Sequence, residues 1–140
     1  MVKSQKIFLA LNIFISFGIG CFIYAFFKRG TYINSFFSLF GLSLYVSVPD
    51  NLFFSVLKNW LGDFLWAYAL TFSMYTVLKK LKYGLACSAA VAFLAGAALE
   101  IAQKTGAISG TFDLVDIAAE GTAVILSIII IKGVQKNEKV

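Results

Sequence analysis

The sequence predicts an all-α fold: a polytopic transmembrane helix bundle of four spans plus an interfacial or re-entrant helical segment, with five spans as the alternative. Three observations predict it. Of the 140 residues, 60% are hydrophobic and 14% charged, where a soluble domain carries about 25% charged residues. The apolar residues gather in runs of about 20, the length of a bilayer-crossing helix. The 12 Lys and Arg residues sit mostly at the ends of those runs, a positive-inside pattern rather than a basic, aromatic-interleaved nucleic-acid face. A single transmembrane domain over residues 1–140 is expected, with no room for a separate enzymatic module.

The first span is expected over 7–27. Lys3 and Lys6 followed by an apolar run also resemble a signal peptide, and Gly18-Ile19-Gly20-Cys21 hints at a lipoprotein cleavage site. The run continues past Cys21 to Phe27, so a retained helix is the better reading. Residues 33–59 read as interfacial or re-entrant. Ile33, Phe36, Phe37, Phe40 and Leu44 lie at helical spacing on one face, but 33–48 reaches only about 24 Å at about 1.5 Å per residue. Pro49 ends that stretch, and Asp50 is a plausible N-cap for a short helix over 51–59.

The second span is expected over 60–78, with Trp60, Trp66 and Tyr68 near a membrane interface. The third, 83–103, is dense in Gly and Ala. Its Ala92 and Gly96 form a small-xxx-small pair, which places this helix at the bundle centre. The last span, 113–131, ends in four consecutive isoleucines, 128–131, expected to face lipid. In a four-span arrangement the N-terminus, the 79–82 loop and the C-terminus share one side, with eight basic residues against four. Five spans give the same count, so the rule does not choose between them. Both arrangements put the 79–82 loop in the cytoplasm.

His is absent and the two cysteines, Cys21 and Cys87, lie in separate apolar runs. This excludes a Ser-His triad, imidazole ligands and CxxC chemistry. The acidic residues are more informative. Asp63 lies near the start of its span, Glu100 near the end of the next, and Asp113, Asp116 and Glu120 at the start of the last. Alternating helix directions bring all five to the extracytoplasmic end. Asp113, Asp116 and Glu120 at i, i+3, i+7 share one helical stripe, and Glu100 shares a face with Gln103. Ionisable groups at membrane depth are costly and mark sites. Thr111 or Asp113 can cap the last span, with Asp116 completing a capping-box-like pattern, so for Asp113 a capping role stands beside the functional one. Asp63 reaches the interface in its own structural reading, and Lys104 is expected to pair with Glu100. The binding candidates are Asp63, Glu100, Gln103, Asp113, Asp116 and Glu120. So many carboxylates need protons or a cation between them, and oxygen ligands suit a divalent cation such as Mg²⁺ or Ca²⁺.

Three stretches resemble the VanZ-like family of small bacterial membrane proteins: Asp63-Phe-Leu-Trp-Ala-Tyr68, Leu99-Glu100-Ile-Ala-Gln103 and Gly110-Thr-Phe-Asp113-Leu-Val-Asp116-Ile-Ala-Ala-Glu120-Gly121. They span roughly residues 60–125, in the family's order. The Glu-x-x-Gln element is present. Trp66 or a neighbour stands where the family has a polar, His-like position, no Arg stands shortly before Asp116 where the family usually has one, and Glu120 occupies the family's Asn position. The resemblance implies a multi-pass protein of the bacterial cytoplasmic membrane and the cell envelope, some of whose relatives are linked to glycopeptide (teicoplanin) antibiotic resistance.

The expected function is an outer-side acidic pocket that binds a membrane-lipid head group or a cation. The alternatives are an intramembrane hydrolase or transferase acting on a lipid-linked precursor, and a proton- or cation-coupled carrier. The absence of His and of a basic phosphate clamp ranks the enzyme lower. Membrane lipid is the expected partner, with a homo-oligomer or an envelope protein as further candidates and no nucleic acid.

Overall fold

The computed structural model describes residues 3–28, 31–49, 51–108 and 111–136, and helix is the regular structure they form. Arg29, Asp50, Gly110 and Lys139 lie outside the described residues. Three long helices, α1 (Lys3–Phe27), α5 (Gly84–Lys104) and α6 (Leu114–Lys136), are long and apolar enough to cross a membrane. Between α1 and α5 come α2 (Tyr32–Ser38), α3 (Leu52–Val56) and α4 (Gly62–Leu78). A π-helical turn, Leu57–Leu61, joins α3 to α4 without leaving helical backbone geometry. The chain therefore belongs among membrane proteins by the length and composition of its helices.

Two sets of polar contacts fix the helix directions. The Gln5 amide near the start of α1 donates to the Val134 carbonyl near the end of α6 (3.2 Å), and the Gln135 amide donates to the Tyr75 hydroxyl near the end of α4 (2.7 Å). At the opposite end, Tyr24 and Lys28 meet Asp63 at the start of α4. α1 is thus antiparallel to α4, and the segment between them leaves and returns at one end. The start of α1, the 79–82 turn and the end of α6 lie at one end of the bundle: Lys6 and Lys79 line one groove, and Lys79, Lys82 and Lys132 another.

The stretch 33–48 does not form the membrane-length helix that a fifth span requires. α2 ends at Ser38, and the chain turns at Gly41, whose φ of +70° is a conformation that side chains rarely adopt. Residues on both sides of that turn pack back onto the end of α1. The Thr31 hydroxyl, the Val46 N–H and the Asn34 amide donate to the carbonyls of Tyr24 (3.3 Å), Phe26 (2.8 Å) and Lys28 (2.7 Å). Those are carbonyls that the last turn of a helix leaves without partners. The short helix after Pro49 is present, and its N-cap is Asn51, whose side chain accepts from the Phe54 N–H at 3.0 Å.

The bundle centre is α4, not α5 as the small-residue pattern predicts. α4 packs on α1, α5 and α6, whereas α5 packs on α4 and α6. The reason is visible in its burial. Ala67, Tyr68 and Ala69 are consecutive and all buried, so α4 is covered over more than half its circumference. On α5 the buried residues Gly84, Ser88, Ala92, Gly96 and Glu100 form an i, i+4 stripe, with Ala89 buried beside it. That stripe is the face along which α5 closes on its neighbours.

Burial sorts the aromatic and apolar side chains further. Tyr68 is in the core, 8% exposed, with its hydroxyl donating to Asn12 Oδ1 at 2.6 Å. Trp66 does stay exposed and packs on Phe17. Of the four isoleucines, Ile129 is exposed while Ile131 is fully buried. Successive residues point about 100° apart, so a run of four cannot face lipid as a block. Cys21 and Cys87 are free, and Cys87 is exposed.

Candidate functional site

The acidic end is assembled from α1, α4, α5 and α6. Glu100 closes the small-residue stripe of α5 and is 6% exposed. Its Oε2 accepts the backbone N–H of Asp113 at 3.0 Å. Asp113 in turn is the N-cap of α6, its Oδ1 accepting from the Val115 N–H at 2.9 Å. The structural reading of Asp113 is therefore realised, with one change of partner. In a capping box the acid at N3, here Asp116, would take the N-cap's own N–H. That N–H goes to Glu100 from another helix, and Asp116 is released.

Asp63 is held from α1. The Tyr24 hydroxyl donates to its Oδ1, and Lys28 Nζ lies 3.8 Å from its Oδ2. Lys28 also stands over the Tyr24 ring, 4.7 Å from its centroid. Gly62 makes this possible: a Cβ there would lie 2.8 Å from the Tyr24 ring. The π turn just before Gly62 touches both α1 and α6. A π turn carries one extra residue and rotates the following face by about 100°.

Glu120 lies deepest. It is 5% exposed, and its carboxylate occupies the space left by the missing side chain of Gly96, where any Cβ would overlap it. Glu120 Oε2 and Asp116 Oδ1 are buried with no hydrogen-bond partner. Asp63, Glu100 and Asp116 lie near Glu120, and Lys28 lies near Asp116.

The structure thus brings together Asp63, Glu100, Asp113, Asp116 and Glu120, and it divides them into two kinds. Asp63, Glu100 and Asp113 are engaged with protein donors. Asp116 and Glu120 each hold a buried oxygen with nothing on it. Gln103 is half-buried at the end of α5, and its side chain bonds none of these groups. Lys104 does not pair with Glu100; its ammonium stands over the Phe112 ring at 4.9 Å. Among the described residues no group of three acidic or Cys side chains is placed to hold a metal ion. The divalent-cation expectation finds no support in this geometry, because three of the carboxylates are already committed to Tyr24, Lys28 and backbone N–H groups.

Tyr24 and Lys28 are the functional residues that sequence reasoning missed. Tyr24 lies in the last turn of α1 and Lys28 just past its end, where a linear reading gives the first to the span and the second to its basic flank. The antiparallel course of α1 and α4 is the signal that places them beside Asp63.

No protein-family model, no curated protein and no solved structure matches the chain. Asp63, Glu100, Asp116 and Glu120, from three separate stretches of the chain, lie at one end of the bundle.

Proposed function

We propose that the chain is a multi-pass protein of the bacterial cytoplasmic membrane, of the VanZ-like kind, whose acidic end takes an amine-bearing lipid head group from the outer leaflet. α4 is the fourth crossing. The helical path 52–78 contains 27 residues, about 40 Å at about 1.5 Å each, against a hydrocarbon core of about 30 Å. The lysine-rich end faces the cytoplasm and the acidic end faces outward.

The observation that carries this reading is the pair of unpartnered buried oxygens on Glu120 and Asp116. A buried acceptor without a donor is destabilising, so a group that donates hydrogen bonds and carries positive charge binds there favourably. A primary ammonium does both. Lys28, at the rim and within the field of Asp116, supplies a positive charge for the adjoining phosphate. The same Lys28 gives the hydrolase or transferase alternative the cationic group that it lacked in the sequence. A link to glycopeptide resistance would follow from action on envelope lipids.

The test is native mass spectrometry of the detergent-purified protein with phosphatidylethanolamine or phosphatidylcholine. The two share a phosphate, but only the first has N–H donors. Retention of phosphatidylethanolamine over phosphatidylcholine, lost in Glu120→Gln and Asp116→Asn, is the expected result. Equal retention of both lipids by wild type and variants overturns it, as does a divalent-ion adduct removed by a chelator. Lipid turnover abolished by Glu120→Gln would move the assignment to the enzyme.

A further inference from the structure

A second site lies at the other end of the molecule, independent of the acidic one. A groove of about 520 Å³ opens between the α4–α5 turn and the last turns of α6. Lys79, Lys82 and Lys132 line it, and its inner wall is apolar, with Leu85 and Ile128. Tyr75 and Gln135, bonded to each other, close its floor. The first turn of α5 borders the groove and has no side-chain cap, so its backbone adds to the positive potential of the lysines. Among the described residues no acidic side chain lines the groove.

We propose that this groove binds the phosphate head group of an anionic membrane lipid from the leaflet on the lysine-rich side, with the acyl chains running along Leu85 and Ile128. Three features choose a lipid over a soluble anion. The lysines are at the mouth of a groove whose wall is apolar. The groove opens at the end of a bundle whose outer faces, such as Phe14, Ile125 and Ile129, are exposed apolar side chains. Basic pockets between transmembrane helices suit anionic head groups, each lysine near the surface strengthening binding about fivefold.

The experiment compares Lys82→Gln/Lys132→Gln with Lys80→Gln/Lys136→Gln. Both doubles remove two charges from the same end, but Lys80 and Lys136 are exposed and outside the groove. Purified proteins are titrated with phosphatidylglycerol and followed by native mass spectrometry, with helix content checked by circular dichroism. Wild type and the Lys80/Lys136 double should retain the lipid alike, and the Lys82/Lys132 double should lose about tenfold or more in affinity. Equal loss in both doubles reduces the effect to general surface charge and overturns the site. Displacement of the lipid by millimolar glycerol phosphate, itself then retained, also overturns it, because the occupant would be a soluble phosphate. A Lys82/Lys132 double that has lost helix content is replaced by single Lys82→Gln and Lys132→Gln variants, each expected to lose a few-fold; undiminished retention in both singles overturns the site.

Discussion

The two ends of the bundle hold polar groups by different means. Among the described residues at the basic end, Gln135 bonds Tyr75 and Gln5 bonds the Val134 carbonyl, neutral group to neutral group, and the exposed Lys82 and Lys132 line a groove. At the acidic end the charges are drawn inside: Glu100 and Glu120 are 6% and 5% exposed. Glu100 is bonded to a backbone N–H, and one oxygen each of Asp116 and Glu120 is left over. The acidic end therefore departs from what stability alone would select, and that departure is where a ligand is to be sought.

The largest expected effect breaks the comparison at its deepest point. Gly96→Leu forces α5 away from Glu120 and should destabilise the detergent-solubilised protein by about 3 kcal/mol, as overpacking of a tight core does. In a Glu120→Ala background the milder Gly96→Ala should be relieved, because Glu120 supplies the three nearest atoms to the new methyl. Additive unfolding shifts in that double-mutant cycle would mean the two residues are not coupled.

Next comes Glu100→Ala, which strands the N–H of Asp113 and should cost about 2 kcal/mol in thermal or chemical unfolding. Glu100→Gln keeps an acceptor and should cost well under half of that. Equal effects would mean that the charge of Glu100, not its bond to Asp113, matters. Tyr24→Phe removes a bond to a charged acceptor and should cost about 1.5 kcal/mol. Tyr75→Phe, the matched change at the basic end, removes a neutral bond and should cost about 0.6 kcal/mol, the usual worth of such bonds between membrane helices. If Tyr75→Phe proves the more damaging of the two, the contrast between the ends is wrong.

The long helices were legible because hydropathy and length suffice for them: α1, α5 and α6 fall within a few residues of the expected spans. The convergence of Asp63, Glu100, Asp116 and Glu120 was legible too, since it needs only alternating directions. What escaped the reading depends on side-chain reach and on which helix lies inside. α4 shows no apolar stripe because nearly every side of it is covered, and a helix without a stripe does not announce its neighbours. Lys28 reads as part of a basic flank, although a long side chain at a helix end can turn back to a carboxylate. The exchange of capping partners, Glu100 for Asp116, is a tertiary choice across 13 residues that no local motif encodes.

The seat of Glu120 on Gly96 has a consequence for how this chain changes over generations. The two positions cannot drift separately: a glycine at 96 is what lets an acid persist at 120, and an acid at 120 penalises every larger residue at 96. Among relatives of this chain, the pair should therefore change in concert. A sequence with alanine or more at position 96 should carry a shorter side chain at 120, and with it a different ligand preference at the acidic end.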